Sequence, residues 1–155
     1  MHETGQKAGF FTLIIGVGTD ICDARRIAAA LKKFNDRFRA RIFTEAEVAL
    51  AGSRSDESLF FAKRFAAKEA VYKALSAAPV AGFGWHDAEI LSAAGGAPVL
   101  TLSGPCKRAL EAVTPDGYKA SVNLSLSDEP PYAVAFVVIS AGPSNWPQEL
   151  GGTGR

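Results

Sequence analysis

Two segments of the chain carry acidic and basic side chains at spacings that suit chemistry on phosphate groups. In the first, Gly16-Val17-Gly18-Thr19-Asp20, a carboxylate follows a short β-branched run and two glycines. A carboxylate at the end of a buried strand can hold Mg²⁺ beside a phosphate, because this ion takes one or two protein carboxylates and leaves its other positions to water and phosphate oxygens. Asp20 could instead cap the following helix, a common role for aspartate, and this segment alone favours the cap.

The second segment is Arg64-Phe65-Ala66-Ala67-Lys68-Glu69-Ala70-Val71-Tyr72-Lys73-Ala74. At 3.6 residues per turn, Glu69 and Lys73 lie one turn apart on the same helix face. The small and apolar residues around them predict a largely buried helix, in which a carboxylate and an ammonium are costly unless something satisfies them. A metal ion with a diphosphate group would do so. The alternative is an exposed i,i+4 ion pair worth about 0.3 kcal/mol, which this segment alone favours.

Together the two segments supply the parts that transfer of a phosphoryl-type group needs. Asp20 and Glu69 give two carboxylates for Mg²⁺, and Arg64, Lys68 and Lys73 give cations for phosphate. Catalysis of such a transfer consists mainly of positioning and charge neutralisation. Spacing alone does not bring these residues together. The sequence contains no Gly-x-Ser-x-Gly motif, which argues against a serine hydrolase.

The composition indicates one ordinary globular domain. The chain has 155 residues, 48% of them hydrophobic and 21% charged, and a formal net charge of +1. This charge gives no reason to expect nucleic-acid or membrane binding, and no segment offers the roughly 18 continuous apolar residues of a membrane helix. Cys22 and Cys106 form no Cys-x-x-Cys motif, and without an evident export signal they predict reduced thiols in a cytoplasmic protein.

Residue patterns place most helices in the first half of the chain. A strand over 13–17 precedes an amphipathic helix around 25–34, whose outer face is basic. Thr44-Glu45-Ala46-Glu47 is a capping box that opens a short helix. Ser55-Asp56 begins the longest helix, which we expect to reach about Ala77 because a proline follows soon after.

Strand patterns dominate the second half. They predict a hairpin of strands over 87–92 and 99–102, a helix over 103–113, and a second strand pair over 118–127 and 132–139. Helices in one half and hairpin-linked strands in the other define an α+β fold. We expect one compact domain over 11–141 with flexible extensions over 1–10 and 142–155, because the extensions are polar or rich in Gly and Pro.

Both chemical segments also resemble known signature motifs. Ile15-Gly16-Val17-Gly18-Thr19-Asp20-Ile21, with Arg25-Arg26-Ile27, is similar to the N-terminal signature of the bacterial acyl-carrier-protein synthase family. Phe61-Ala62-Lys63-Arg64-Phe65-Ala66-Ala67-Lys68-Glu69-Ala70, with Lys73, is similar to the second signature. Segments 41–44, 122–128 and 132–136 resemble further family segments in the same order. The resemblance favours a metal site at Asp20 and Glu69 over both alternatives.

The resemblance implies a 4′-phosphopantetheinyl transferase fold, with a mainly antiparallel sheet packed on a long helix. It also implies a homotrimer with active sites between subunits. The implied reaction moves 4′-phosphopantetheine from coenzyme A to a serine of an acyl carrier protein and releases 3′,5′-ADP. Asp20 and Glu69 would be the Mg²⁺ ligands, and Glu69 or a metal-bound water would act as base. Lys73 would neutralise charge at the diphosphate.

Substrate-binding roles follow from the same resemblance. Arg64 and Lys68 would contact coenzyme A phosphates, and Arg26 would pair with acidic residues of the carrier protein, which suits a basic helix face. Asp128, also placed among the substrate-binding positions, stands where many family members have a histidine near coenzyme A. Segment 76–80 replaces a turn that is glycine-rich in many members, so backbone approach to phosphate is less free. Both departures concern coenzyme A affinity.

Two other functions stay open from the sequence. A non-catalytic trimer could bind coenzyme A or carrier protein without turnover, and the altered segment 76–80 is its support. A Mg²⁺-dependent coenzyme A pyrophosphatase could use the same carboxylates with water as the acceptor. That activity leaves the basic face at Arg25 and Arg26 unexplained.

Overall fold

A computed structural model describes residues 11–145, which contain five α-helices and five strands. The helices are α1 (Ala24–Phe34), α2 (Asp36–Ile42), α3 (Glu45–Ala51), α4 (Glu57–Ala74) and α5 (Gly104–Val113). The strands are β1 (Leu13–Asp23), β2 (Ala88–Ser92), β3 (Pro98–Leu102), β4 (Tyr118–Glu129) and β5 (Tyr132–Pro143). A short 3₁₀ helix, Trp85–Asp87, precedes β2. The α+β prediction is confirmed.

The strands form two antiparallel units. β1, β5 and β4 make a three-stranded sheet in that order, and β2 pairs only with β3 within the described part of the chain. Helix α4 packs across the inner face of the three-stranded sheet, against β1 and β5. On β5 the inner positions from Ala133 to Ile139 alternate with outer ones and are fully buried. No described helix is both long enough and apolar enough to cross a membrane.

Several element boundaries differ from the sequence-based predictions. β1 continues to Asp23, so Asp20 lies within the strand and not after it. α4 ends at Ala74, three residues earlier than predicted, because the Ser76 N–H bonds the Lys73 carbonyl and tightens the chain before the proline. β5 continues to Pro143, two residues into the predicted C-terminal tail. The predicted extension 1–10 and tail residues 146–155 lie outside the described residues.

Two glycines allow β1 to run directly against the backbone of α4. A Cβ atom at Gly18 would overlap the Ala70 carbonyl oxygen and lie 2.8 Å from the Ala74 amide nitrogen. A Cβ at Gly16 would overlap the Ala74 carbonyl oxygen. Gly16, Gly18 and Asp20 alternate along the strand and therefore share the face that is turned toward α4. Backbone contact thus brings Asp20 to the C-terminal turns of this helix.

A buried ion pair joins α4 to α3 and β2. Lys68 and Glu47 are both fully buried, with Lys68 Nζ 3.0 Å from Glu47 Oε2. Lys68 also donates to the Trp85 and Ala88 carbonyls. Glu47 accepts the Ile90 N–H on its other oxygen. Because all three ammonium protons have partners in the interior, the prediction that Lys68 binds coenzyme A phosphate is wrong, and this side chain holds the core together instead.

Replacing Gly18 tests the contact between β1 and α4. We expect Gly18→Ala to lower the free energy of unfolding by about 2 kcal/mol or more, because the added methyl would overlap backbone that cannot move aside. The matched control is Gly95→Ala, where a Cβ meets no atom within 4 Å. Chemical denaturation of both variants checks this. Equal stability of the two would contradict the packing described here.

Replacing Lys68 tests how much its ion pair with Glu47 contributes to stability. We expect Lys68→Met to lower the free energy of unfolding by about 3 kcal/mol, because it leaves the Glu47 carboxylate buried without its cation. The double variant Glu47→Gln/Lys68→Met should lose less than the sum of the two single losses. Lys32→Met, on the exposed face of α1, serves as the control. Additive losses would show that the pair is not coupled.

Candidate functional site

Asp20 does not cap the helix that follows it. The N-cap of α1 is Asp23, whose side chain accepts the Arg25 N–H at 2.9 Å. Asp20 lies within β1, where it pairs with Ala135 of β5. Its side chain is 17% exposed, so its carboxylate opens to solvent only on one side. The cap interpretation is therefore wrong.

Lys73 bridges α4 and β1. Its ammonium donates to Asp20 Oδ1 at 2.8 Å and to the Thr19 carbonyl at 2.9 Å. Glu69, one helical turn earlier, forms no ion pair and accepts no hydrogen bond within the described part of the chain. The interpretation of Glu69 and Lys73 as a simple i,i+4 surface pair is therefore wrong, because the lysine turns to the strand instead.

The surroundings of Glu69 disfavour the charged form of its carboxylate. Partial burial raises its pKa above the ordinary value, the neighbouring Asp20 raises it further, and Lys73 offsets part of this effect. Asp20 and Glu69 line the same cavity, of about 420 Å³, together with Arg26 of α1 and Phe65 of α4. Two carboxylates and one ammonium thus meet beside an open space.

The residues present suit a divalent ion that is shared with a ligand. The described residues contain no cluster of three or more His, Cys, Asp or Glu side chains that could enclose a metal by themselves. Mg²⁺ requires no such cluster, since it binds through one or two carboxylates and takes oxygens from phosphate and water. The unpartnered Glu69 carboxylate beside Asp20 fits this kind of site, because a cation would relieve their mutual repulsion.

A second cavity, of about 330 Å³, lies beside the first turns of α4 and is lined by Arg64. The Arg64 residue is 4% exposed, and its guanidinium carbon lies 3.5 Å from the centre of the Phe60 ring. One nitrogen contacts Ser92 Oγ at 3.4 Å, and Nε has no hydrogen-bond partner. Burial lowers the Arg64 pKa to about 10. A buried guanidinium with no carboxylate partner among the described residues indicates an anion-binding site.

Lys63 and Arg54 line the same cavity, and sequence reasoning assigned a role to neither. Lys63 Nζ bonds Asp128 Oδ1 at 2.8 Å. Asp128 itself is not among the described residues that line the cavity, and its predicted contact with substrate stays a prediction. No spacing signal could reveal this pair, because its partners lie 65 residues apart in the chain.

The two arginines at the start of α1 have different surroundings. Arg25 is held by Asp23 through a 2.7 Å ion pair, and its guanidinium lies 5.8 Å from the Tyr132 ring centre. Arg26 forms no ion pair with a described residue and lines the cavity that contains Asp20. Arg26 is therefore the arginine whose charge is available to another molecule at this site.

Comparison with known proteins agrees with the site chemistry. The family model of the 4′-phosphopantetheinyl transferase superfamily matches residues 16–137. The chain is 47% identical over 131 residues to the holo-[acyl-carrier-protein] synthase of Methylobacterium nodulans, covering 84% of this chain and 99% of that protein. It is 46% identical over 132 residues to that of Phenylobacterium zucineum, covering 85% and 96% of the two chains.

Solved structures give the same result. The holo-[acyl-carrier-protein] synthase of Neisseria meningitidis is 35% identical, with a TM-score of 0.70 and coverage of 82% of this chain and 98% of that one. The Bacillus anthracis synthase in complex with CoA (3′,5′-ADP) is 32% identical, with a TM-score of 0.63 and coverage of 85% and 98%. The resemblance noted from the two sequence motifs is confirmed, and the chain belongs to the 4′-phosphopantetheinyl transferase superfamily.

Proposed function

We propose that this chain transfers the 4′-phosphopantetheine group of coenzyme A to a serine of an apo-acyl carrier protein. The observation that carries the proposal is the convergence of Asp20, Glu69 and Lys73, with Lys73 Nζ 2.8 Å from Asp20 Oδ1. Relatives in the family are named holo-[acyl-carrier-protein] synthase. The carrier protein and coenzyme A are thus the proposed partners, and Mg²⁺ is the proposed metal.

The chemistry needs one bond to form and one to break. The serine oxygen of the carrier protein bonds to the β-phosphorus of coenzyme A, the bond from this phosphorus to the bridging oxygen breaks, and 3′,5′-ADP leaves. Asp20 and Glu69 would hold Mg²⁺, which supplies charge neutralisation at the diphosphate when bound. Lys73 adds a positive charge at the same place. Glu69, whose pKa is raised, accepts the serine proton.

Substrate docking follows from the charges around the site. The Arg64 cavity, with its unpaired guanidinium, accepts a phosphate of coenzyme A. The basic face of α1, with Arg26 unpaired beside the catalytic carboxylates, faces the acidic carrier protein. The two buried free cysteines suit the predicted cytoplasmic location, where thiols stay reduced.

We further propose that the protein is a homotrimer. The outer face of the three-stranded sheet exposes large apolar side chains on neighbouring strands, which suit a subunit interface. They are Val17 and Ile21 on β1, and Val134 and Phe136 on β5, each at least 37% exposed. The number three, and sites shared between subunits, come from the family resemblance.

The direct test of the function is the intact mass of an apo-acyl carrier protein after incubation with this protein, coenzyme A and Mg²⁺. We expect a gain of roughly 340 Da that requires Mg²⁺ and the carrier serine. Coenzyme A binding without a mass gain would favour the non-catalytic binder. Release of 4′-phosphopantetheine into water without carrier protein would favour the pyrophosphatase.

Glu69→Gln tests the role of the second carboxylate. We expect it to lower kcat/KM for transfer on the order of 100-fold or more, because it removes a metal ligand and the base together. Glu111→Gln, on the exposed side of α5, is the matched control and should retain full activity. Turnover of Glu69→Gln within a factor of three of the control would contradict the assignment.

Glu69→Gln, which we expect to lower activity, should raise the stability of the protein in the absence of metal. Partial burial, and then Asp20, raise the Glu69 pKa above its ordinary value, so the folded state disfavours the charged carboxylate and loses stability as the pH rises from the ordinary pKa to the raised one. In EDTA, Glu69→Gln should therefore unfold at a higher denaturant midpoint than the unsubstituted protein at pH 7, and the difference should vanish below about pH 4. A lower midpoint at pH 7 would show that Glu69 stabilises the fold.

Arg26→Ala tests the docking of the carrier protein. We expect it to raise the KM for carrier protein about tenfold with a smaller change in the KM for coenzyme A, because its charge is free to meet an acidic partner. Arg25→Ala should have the smaller effect on the KM for carrier protein, since Asp23 already neutralises Arg25. Steady-state kinetics with each substrate varied in turn measures this. Equal effects of Arg26→Ala on both substrates would exclude a docking role.

A further inference from the structure

The Arg64 cavity carries an excess of positive charge. Arg54, Lys63 and Arg64 line it, and Asp56 is its one acidic wall residue among those described. The Asp56 carboxylate is already used as the N-cap of α4, accepting the Leu59 N–H at 2.9 Å. No carboxylate in the described part of the chain pairs with Arg64, whose Nε lacks any partner. The cavity therefore favours an anion.

One of these three cations is held by a carboxylate outside the cavity wall. Lys63 Nζ bonds Asp128 Oδ1 at 2.8 Å, with side chains 29% and 31% exposed. Lysine has a single ammonium on a flexible stem, so it can turn from one anion to another at low cost. A half-exposed ion pair of this kind contributes little to stability. The pair is thus weak enough for a phosphate to compete with Asp128.

We propose that Asp128 is a specificity-determining residue that sets the affinity for the donor nucleotide by competing with its phosphate for Lys63. This inference rests on the proposed function, because it requires a donor phosphate in the Arg64 cavity. When the phosphate enters, the Lys63 ammonium leaves Asp128 and bonds the phosphate oxygens. Arg64 cannot change partners in this way, because the core fixes its guanidinium against Phe60.

The direction of the effect follows from charge. Removing the Asp128 charge frees Lys63 and makes the cavity more positive, so a donor phosphate binds more tightly. Because the effect comes from releasing Lys63 from a partly exposed ion pair, its size is set by the strength of that pair, which corresponds to a change of roughly fivefold in the dissociation constant at most. The effect must shrink in high salt, because both residues are partly exposed.

The experiment compares Asp128→Asn with Asp116→Asn. Asp116 is exposed and precedes the other end of β4, roughly 30 Å away by strand rise, so its variant removes the same charge far from the cavity. The probe is 3′,5′-ADP, titrated by calorimetry at low and high salt, with the KM for coenzyme A measured in parallel. We expect Asp128→Asn to lower both constants about fivefold at low salt, and Asp116→Asn to leave them within a factor of about 1.5.

Repeating the Asp128→Asn comparison in a Lys63→Met variant shows whether Lys63 is responsible for the change in affinity. Lys63→Met alone should raise the dissociation constant for 3′,5′-ADP, because it removes a cation from the wall. In that background Asp128→Asn should change the constant by less than about twofold, since no ammonium remains to be released. The same fivefold gain with and without Lys63 would overturn the proposal, because Asp128 would then act directly on the ligand. Weaker or unchanged binding by Asp128→Asn in the native background would overturn it too.

Failure of this inference differs from failure of the proposed function. If the unsubstituted protein modifies the carrier protein but Asp128→Asn leaves the KM for coenzyme A unchanged, only the role of Asp128 is refuted. If the unsubstituted protein neither binds 3′,5′-ADP nor modifies the carrier protein, both are refuted.

Discussion

The contact between the β1 backbone and the α4 backbone is the constraint on which the candidate site depends. Gly18 has no room for a Cβ atom against Ala70, so strand and helix meet at a distance that only glycine allows. Asp20 follows two residues later on the same strand face, and Lys73 and Glu69 lie on the facing turns of the helix. A wider separation would break the 2.8 Å contact between Lys73 and Asp20. The close packing of β1 against α4 therefore also determines where these three charged side chains lie.

Some buried or partly buried charged side chains in the described residues have partners of opposite charge, and others do not. Lys68 and Glu47 pair with each other and with nearby backbone groups inside the core, and so link three elements. Arg64, on the same helix, has no such carboxylate, and Glu69 has no cation that bonds it directly among the described residues. Leaving a charge unpaired in a fold is costly unless a ligand completes it. The contrast separates the residues that hold the fold together from those that we propose bind metal and phosphate.

Local signals in the sequence predicted most of the fold. The capping box at Thr44, the N-cap at Asp56 and the alternation along β4 each depend on neighbours in the chain, and each element appears where it was expected. The end of α4 and the length of β1 were wrong, because hydrogen bonds within the final turn and pairing with β5 decide them. The motifs indicated Asp20, Glu69 and Lys73 as one group, and the fold brings these three together.

Long-range contacts account for what the sequence could not reveal. Lys68 is adjacent to Glu69 in the chain, yet the helix turns its side chain about 100° away, where it meets Glu47. The bond between Lys63 and Asp128 joins residues that are distant in the chain. Spacing predicts which residues share a helix face, but it cannot tell which face becomes interior until the sheet is in place.

Binding of a divalent ion tests the central claim, that β1 and α4 together form one metal site. Mn²⁺ can replace Mg²⁺ as a paramagnetic probe, and its binding in the presence of coenzyme A can be followed by electron paramagnetic resonance. We predict one bound ion per chain in the unsubstituted protein, and at least tenfold weaker binding when either Asp20→Asn or Glu69→Gln is introduced. Unchanged Mn²⁺ affinity in Asp20→Asn would contradict the account, because the strand would then contribute nothing to the metal site.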